Sequence, residues 1–186
     1  MSLARSGLAL ALVVGLAGCV TIDGTLEASG AARVRMTYHT VPNATEGVER
    51  RRFTSSHVTV ESFTMAPGGE ATVIVRADDA ANLPSADAFR DATVKRERKD
   101  GNEVLTIQLV NQKPLTIPDA GKPGPKITLT LPGKVVEANE GATVSGNVVT
   151  WSYALAAYVQ RPSIDLVARY AAADAAPSAT TAPTPH

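Results

Sequence analysis

One thiol in this chain stands where envelope chemistry uses a thiol. Leu16-Ala17-Gly18-Cys19 closes an apolar run that starts at Gly7, just after Arg5. One basic residue, a short apolar core, small residues and then cysteine make the layout of a bacterial lipoprotein signal. The Cys19 sulfur would take a diacylglycerol, and cleavage before it would free the new amino terminus. Three duller readings fit less well. Gly7 to Gly18 falls far short of the roughly 20 apolar residues a bilayer core needs. An ordinary secretory signal leaves the cysteine as coincidence. A buried strand or helix leaves unexplained a run without one polar residue at the extreme N-terminus.

The rest of the chemistry inventory is thin. Cys19 is the only cysteine, so no intrachain disulfide can form. The three histidines, His39, His57 and His186, form no pair at metal-ligand spacing, and no metal site is expected. Ser55-Ser56-His57 puts a hydroxyl beside an imidazole, but no Gly-x-Ser-x-Gly elbow surrounds it. Gly121-Lys122-Pro123-Gly124-Pro125-Lys126 lacks phosphate-loop spacing and leads into a strand pattern where a helix is needed. Asp78-Asp79 supplies too few oxygens for a cation. No catalytic residue and no cofactor are expected, so the chain reads as a non-enzyme. Arg50-Arg51-Arg52 and Lys95–Lys99 are basic clusters that fit anionic headgroups, or else solvated faces interrupted by Glu46, Glu49 and Glu97. With 18 Lys+Arg against 18 Asp+Glu, nothing argues for nucleic acid.

These residues need a scaffold, and its dominant period is two. Val34, Met36 and Tyr38 alternate with Arg33, Arg35 and Thr37, which predicts a half-buried strand. Residues 57–76 read as a hairpin around Met65-Ala66-Pro67-Gly68-Gly69. Thr93–Lys99 and Glu103–Val110 read as a second hairpin turning at Asp100-Gly101-Asn102. Its first strand is polar on both faces and is expected at a sheet edge. Lys113 to Pro125 reads as a loop. Further strands are expected at Ile127–Leu131, Lys134–Ala138, Val144–Tyr153 and Ile164–Tyr170. Asn43 with Glu46 resembles a capping box for a helix over Val48–Phe53, and Ser85 is placed to cap another over Ala86–Asp91. Residues 1–18 are then signal peptide, 19–23 lipidated tether and 24–170 folded domain. Residues 171–186 are an Ala/Pro/Thr tail too poor in apolar surface to fold. The fold class is α+β, a mostly antiparallel twisted sheet with one or two short helices.

Two stretches carry a family resemblance. Leu129-Thr130-Leu131-Pro132-Gly133-Lys134-Val135-Val136-Glu137-Ala138-Asn139, then Val144-Ser145-Gly146-Asn147-Val148-Val149-Thr150-Trp151, resemble the C-terminal part of LppM-type bacterial lipoproteins. The shared features are a strand ending in Pro-Gly, a turn, and a Gly-Asn-x-Val-x-Trp strand. The resemblance implies a small α+β envelope domain, with lipid or glycolipid binding and host interaction associated with mycobacterial members. Members often carry a transmembrane helix after the domain. Here nothing after Tyr170 is apolar or long enough, so anchoring rests on Cys19. Independently of any family, Pro132 ends a strand and Trp151, the only tryptophan, is expected in the core. Its alternative is to line a ligand pocket with Tyr153. The expected partners are a membrane held through Cys19, an envelope protein, and a lipid, glycolipid or other apolar ligand, its acyl chain or glycolipid lying in an apolar groove formed by the sheet and its helices. Val20, rather than Asp, after the cysteine resembles outer-membrane sorting in a diderm source. The rival function is a protein-interaction scaffold in envelope assembly.

Overall fold

The structure is a computed structural model that describes residues 20–110 and 123–172. The signal peptide with Cys19, most of the Lys113–Pro125 stretch and residues 173–186 lie outside the described residues.

The strands form two sheets rather than one. The larger holds β1 (Thr21–Leu26), β2 (Ala32–His39), β3 (Val58–Met65), β4 (Glu70–Ala77), β7 (Pro123–Thr130), β9 (Ala142–Ser145) and β10 (Val148–Ala154). Its order is β3-β4-β2-β1-β7-β10-β9. The smaller, in order β5-β6-β11-β8, holds β5 (Ala92–Lys99), β6 (Asn102–Val110), β8 (Val135–Ala138) and β11 (Ser163–Ala171). Every pairing is antiparallel except β1 with β7. The class is α+β.

Period-two alternation lays one face of the large sheet against two covers. The small sheet covers the β1-β7-β10 half, burying Leu26, Ile127, Val149 and Trp151 against Leu105, Ile164, Leu166 and Tyr170. Helix α1 (Glu46–Arg52) and two 3₁₀ turns, Ala80–Ser85 and Asp87–Phe89, cover the β2-β4-β3 half. There Met36, Tyr38, Val73 and Val75 meet Phe53, Ala86 and Ala88. Ile22 and Leu83 pack against both clusters, so the two are joined.

Both hairpins form as their turn residues predict. Asp100 and Gly101 take φ of 52° and 77°, the left-handed pair that a two-residue hairpin turn requires. β5 is an edge, with Lys95 to Lys99 exposed.

Several local expectations change. β1 begins at Thr21, inside the stretch read as tether. Pro123 and Pro125, read as loop, open β7. Asn43 does not cap α1: it sits at φ 64° in the preceding turn, and Thr45 is the N-cap, with no side-chain bond. Ser85 ends a 3₁₀ turn instead of starting a helix. That turn is capped by Asp79, whose Oδ1 accepts from Ala81 N at 2.8 Å. A short helix that the sequence pattern does not show, α2 (Leu155–Val159), follows β10.

Candidate functional site

The Pro-Gly stretch does its work between the sheets. β7 lies in the large sheet, β8 in the small one, and β9 returns to the large. The crossing is made at Pro132-Gly133, where the Ala171 carbonyl occupies the space a Cβ on Gly133 would need. Asn147 ties the strands beyond it, its Nδ2 donating to Leu131 O at 3.0 Å.

Asn139 holds the second junction. Its Oδ1 accepts from Trp151 Nε1 at 2.9 Å and from Val167 N at 3.0 Å, and its Nδ2 donates to Asp165 O at 2.7 Å. One amide thus joins β8, β10 and β11. Trp151 is 1% exposed, so the indole is a core residue with its polar edge satisfied. Tyr153 is half-buried and sits 6.5 Å, ring to ring, from Tyr158 of α2. Burial raises the phenol pKa of both.

Among the described residues there is a groove of about 310 Å³, away from the face that the short helices cover. It lies on the outer face of the small sheet, lined by Val104, Ala138, Val167, Arg169, Glu137 and Asn139, with Lys99 and Asp100 of the hairpin turn at its end. Small aliphatic side chains make its floor and both signs of charge make its rim. Arg169 Nη2 lies 3.9 Å from Asp100 Oδ2. Trp151 and Tyr153 are not among its lining residues. Nothing local in the sequence marks this groove, because its residues come from four strands brought together only by pairing.

Two polar clusters lie elsewhere. Glu49, 2% exposed on α1, accepts from Tyr38 Oη at 2.7 Å and from Arg52 Nη1 at 3.0 and 3.2 Å. Burial, then the bond to Glu49, drives the Tyr38 pKa far above the ordinary phenol range. The Arg50–Arg52 run is therefore partly internal wiring: Arg52 serves Glu49, and Arg50 lies 3.6 Å from Glu46. At the far end of β3, His57 Nδ1 sits 2.8 Å from Asp78 Oδ2. Asn82 Nδ2 donates to Asp78 Oδ1 at 2.9 Å. The Asn82 bond first, then His57, holds the Asp78 carboxyl down at about 2. Ser55 Oγ accepts from His57 N and Val58 N and lies 2.7 Å from Ser85 Oγ. It caps a turn, and the imidazole is turned to Asp78. Among the described residues no group of three His, Cys, Asp or Glu is placed to hold a metal ion. No described helix is long and apolar enough to cross a membrane.

These sheets and short helices define an α+β domain that carries a charged-rimmed groove on the outer face of its small sheet. No protein-family model and no curated protein matches the chain. Among solved structures it is similar to the folded domain of the Mycobacterium tuberculosis protein LppM, determined by NMR. The TM-score is 0.53 at 14% identity, over 84% of this chain and 90% of that one. The likeness is one of fold: the chain has an LppM-like architecture.

Proposed function

We propose that this chain is a lipid-anchored envelope lipoprotein with a non-catalytic binding domain, whose groove holds the polar headgroup of a lipid or glycolipid. Three things support the reading: the Leu16–Cys19 lipobox, the LppM-like fold, and above all the groove itself. Its volume of about 310 Å³ is at the small end of ligand sites. Its rim, Lys99, Asp100, Glu137 and Arg169, is a poor lining for an acyl chain, because burying ionised groups against hydrocarbon is costly. The same rim suits phosphate oxygens and sugar hydroxyls, with Arg169 and Lys99 as donors and Glu137 and Asp100 as acceptors. The ligand class is thereby narrowed from apolar chain to headgroup. With Val20 after the cysteine, the site of anchoring in a diderm cell is the outer membrane.

Native mass spectrometry of residues 20–186, purified without detergent and incubated with envelope lipids, tests the binding. The expected result is a lipid adduct that is weakened in Arg169→Ala. A clean apo mass would overturn it and favour the rival reading, a scaffold that recruits an envelope protein by strand addition. The observation favouring the rival is the open edge of β5.

A further inference from the structure

Granted the anchor at Cys19, the fold fixes which end of the domain meets the membrane. Val20 is already part of the sheet, its carbonyl accepting from Lys126 N at 2.9 Å. Adjacent Cα atoms are about 3.8 Å apart, so an acylated Cys19 leaves no slack between lipid and domain. The start of β1 must therefore lie at the headgroups.

Strand direction then identifies what lies beside it. β2, β3 and β10 end at this edge of the large sheet, and β4, β7 and β9 begin there. Among the described residues its loops are 40–45, 66–69 and 155–162, which hold no Asp or Glu, and the turn 139–141 into β9, which holds the exposed Glu140. The first three present Val41 (38% exposed), Pro67 and Ala157, with Leu155 half-buried. The exposed cations toward this end include Arg161 in the last of these loops and Lys126 on β7. The acids toward this end are Asp23, exposed on β1, Glu46, which lies by Arg50, Glu70 at the start of β4, Glu140 before β9, and Asp91 beside Tyr158. At the opposite end of the sheet stand Glu27, Asp78 and Asp79, all outside the strands. The loops 40–45, 66–69 and 155–162 are thus apolar with Arg161 as their one charge, whereas at the opposite end Glu27 is paired with Arg76 and Asp78 with His57.

We infer that the β1-proximal end of the large sheet, with α2 and its flanks, is a membrane-contacting surface seated on anionic lipid headgroups. Basic residues at such a surface are attracted to it, and exposed apolar side chains there leave water. Because this rests on the anchor reading, the test separates the two. Full-length lipoprotein is purified from membranes and its N-terminus checked by mass spectrometry. With the Cys19 sulfur in thioether linkage, an introduced cysteine is the sole thiol and takes one spin label. Ala157→Cys probes the contact. Ala28→Cys, in the loop after β1 and about 20 Å up the strand at 3.3 Å per residue, is the control.

In vesicles containing phosphatidylglycerol, the label at 157 is expected to be several-fold less accessible to a water-soluble nickel complex than the label at 28. It is also expected to be more accessible to oxygen. Lys126→Glu with Arg161→Glu should reduce that difference while the protein stays anchored. Equal nickel accessibility at 157 and 28 in acylated protein would overturn the inference and leave the anchor standing. An unacylated Cys19 would overturn the anchor and the inference together.

Discussion

Two tyrosines with buried hydroxyls should respond in opposite ways to loss of the oxygen. Tyr38 donates to a buried carboxylate, and hydrogen bonds to charged groups are worth about 1.5–3 kcal/mol. Tyr38→Phe should cost that much, read as a lower urea midpoint. Tyr170 is fully buried and its oxygen has no partner, so Tyr170→Phe should leave the midpoint unchanged or raise it. Equal losses in both would refute the assignment. Tyr38 also sets an alkaline limit. Its folded pKa lies above the unfolded value of 10.0, so its contribution is complete below that pH and declines as pH rises further. Asp78 works at the acid end. Its folded pKa of about 2 lies under the ordinary 3.8, so its share is present above 3.8 and disappears as pH falls toward 2. In Asp78→Asn, stability should fall less steeply with acid over that interval. Asn139→Ala removes the acceptor of Trp151 Nε1 and Val167 N. Stranding buried donors costs about 1–3 kcal/mol each, so tryptophan-monitored unfolding should show a loss of at least about 2 kcal/mol. None of these roles was visible beforehand. Glu49 sits in a run of charges that reads as solvated, and only the turn of α1 under Tyr38 sends it inward.

At the scale of elements, legibility followed local chemistry. Both hairpins were readable because each couples strict alternation to turn residues that demand left-handed φ. β1 was not, because Thr-Ile-Asp-Gly-Thr-Leu places a glycine at an inward position. A Cβ on Gly24 would come within 2.6 Å of Leu129 Cδ2 across the parallel pair, so a larger residue there would require the Leu129 side chain to shift. α2 was hidden because five residues are too few to show a period. The division into two sheets was out of reach for a similar reason: Pro132-Gly133 announces a bend but not its destination. The edge position of β5 was readable, and it carries a prediction. The closing pair Lys99–Asn102 fixes the alternation, so Glu97 pairs with Val104 through hydrogen bonds and the amide of Arg98 points out of the sheet. Arg98→Pro should keep the fold and remove one donor from the open edge. Glu97→Pro should break the hairpin and lower the melting temperature markedly. If an envelope protein is captured by β5, Arg98→Pro abolishes its co-purification with the domain still folded. Retention of that partner would exclude strand addition at this edge.

The whole molecule has two covers on one continuous sheet, and that geometry decides how it comes apart. β2 pairs β1, which belongs to the side covered by the small sheet, and also β4, which belongs to the side covered by α1. Ile22 and Leu83 pack into both clusters. Neither cluster can open without exposing the apolar flank of the other and the unpaired amides of a shared strand, which is costly. The domain should therefore unfold in one transition despite its two cores. Leu166→Ala strikes the first cluster and Val73→Ala the second; both parent side chains are at most 1% exposed. A Leu→Ala cavity costs about 2–5 kcal/mol, and the smaller Val truncation should cost less. Each should shift the entire circular-dichroism transition, with Trp151 fluorescence moving in step even though Trp151 lies only in the first cluster. Fluorescence left in place by Val73→Ala while the dichroism shifts would mean two independent units. A single transition has a functional consequence as well: a ligand in the outer groove of the small sheet would stabilise the loops of the large sheet by the same free energy. Binding at the groove would then be felt throughout the large sheet without any change of shape.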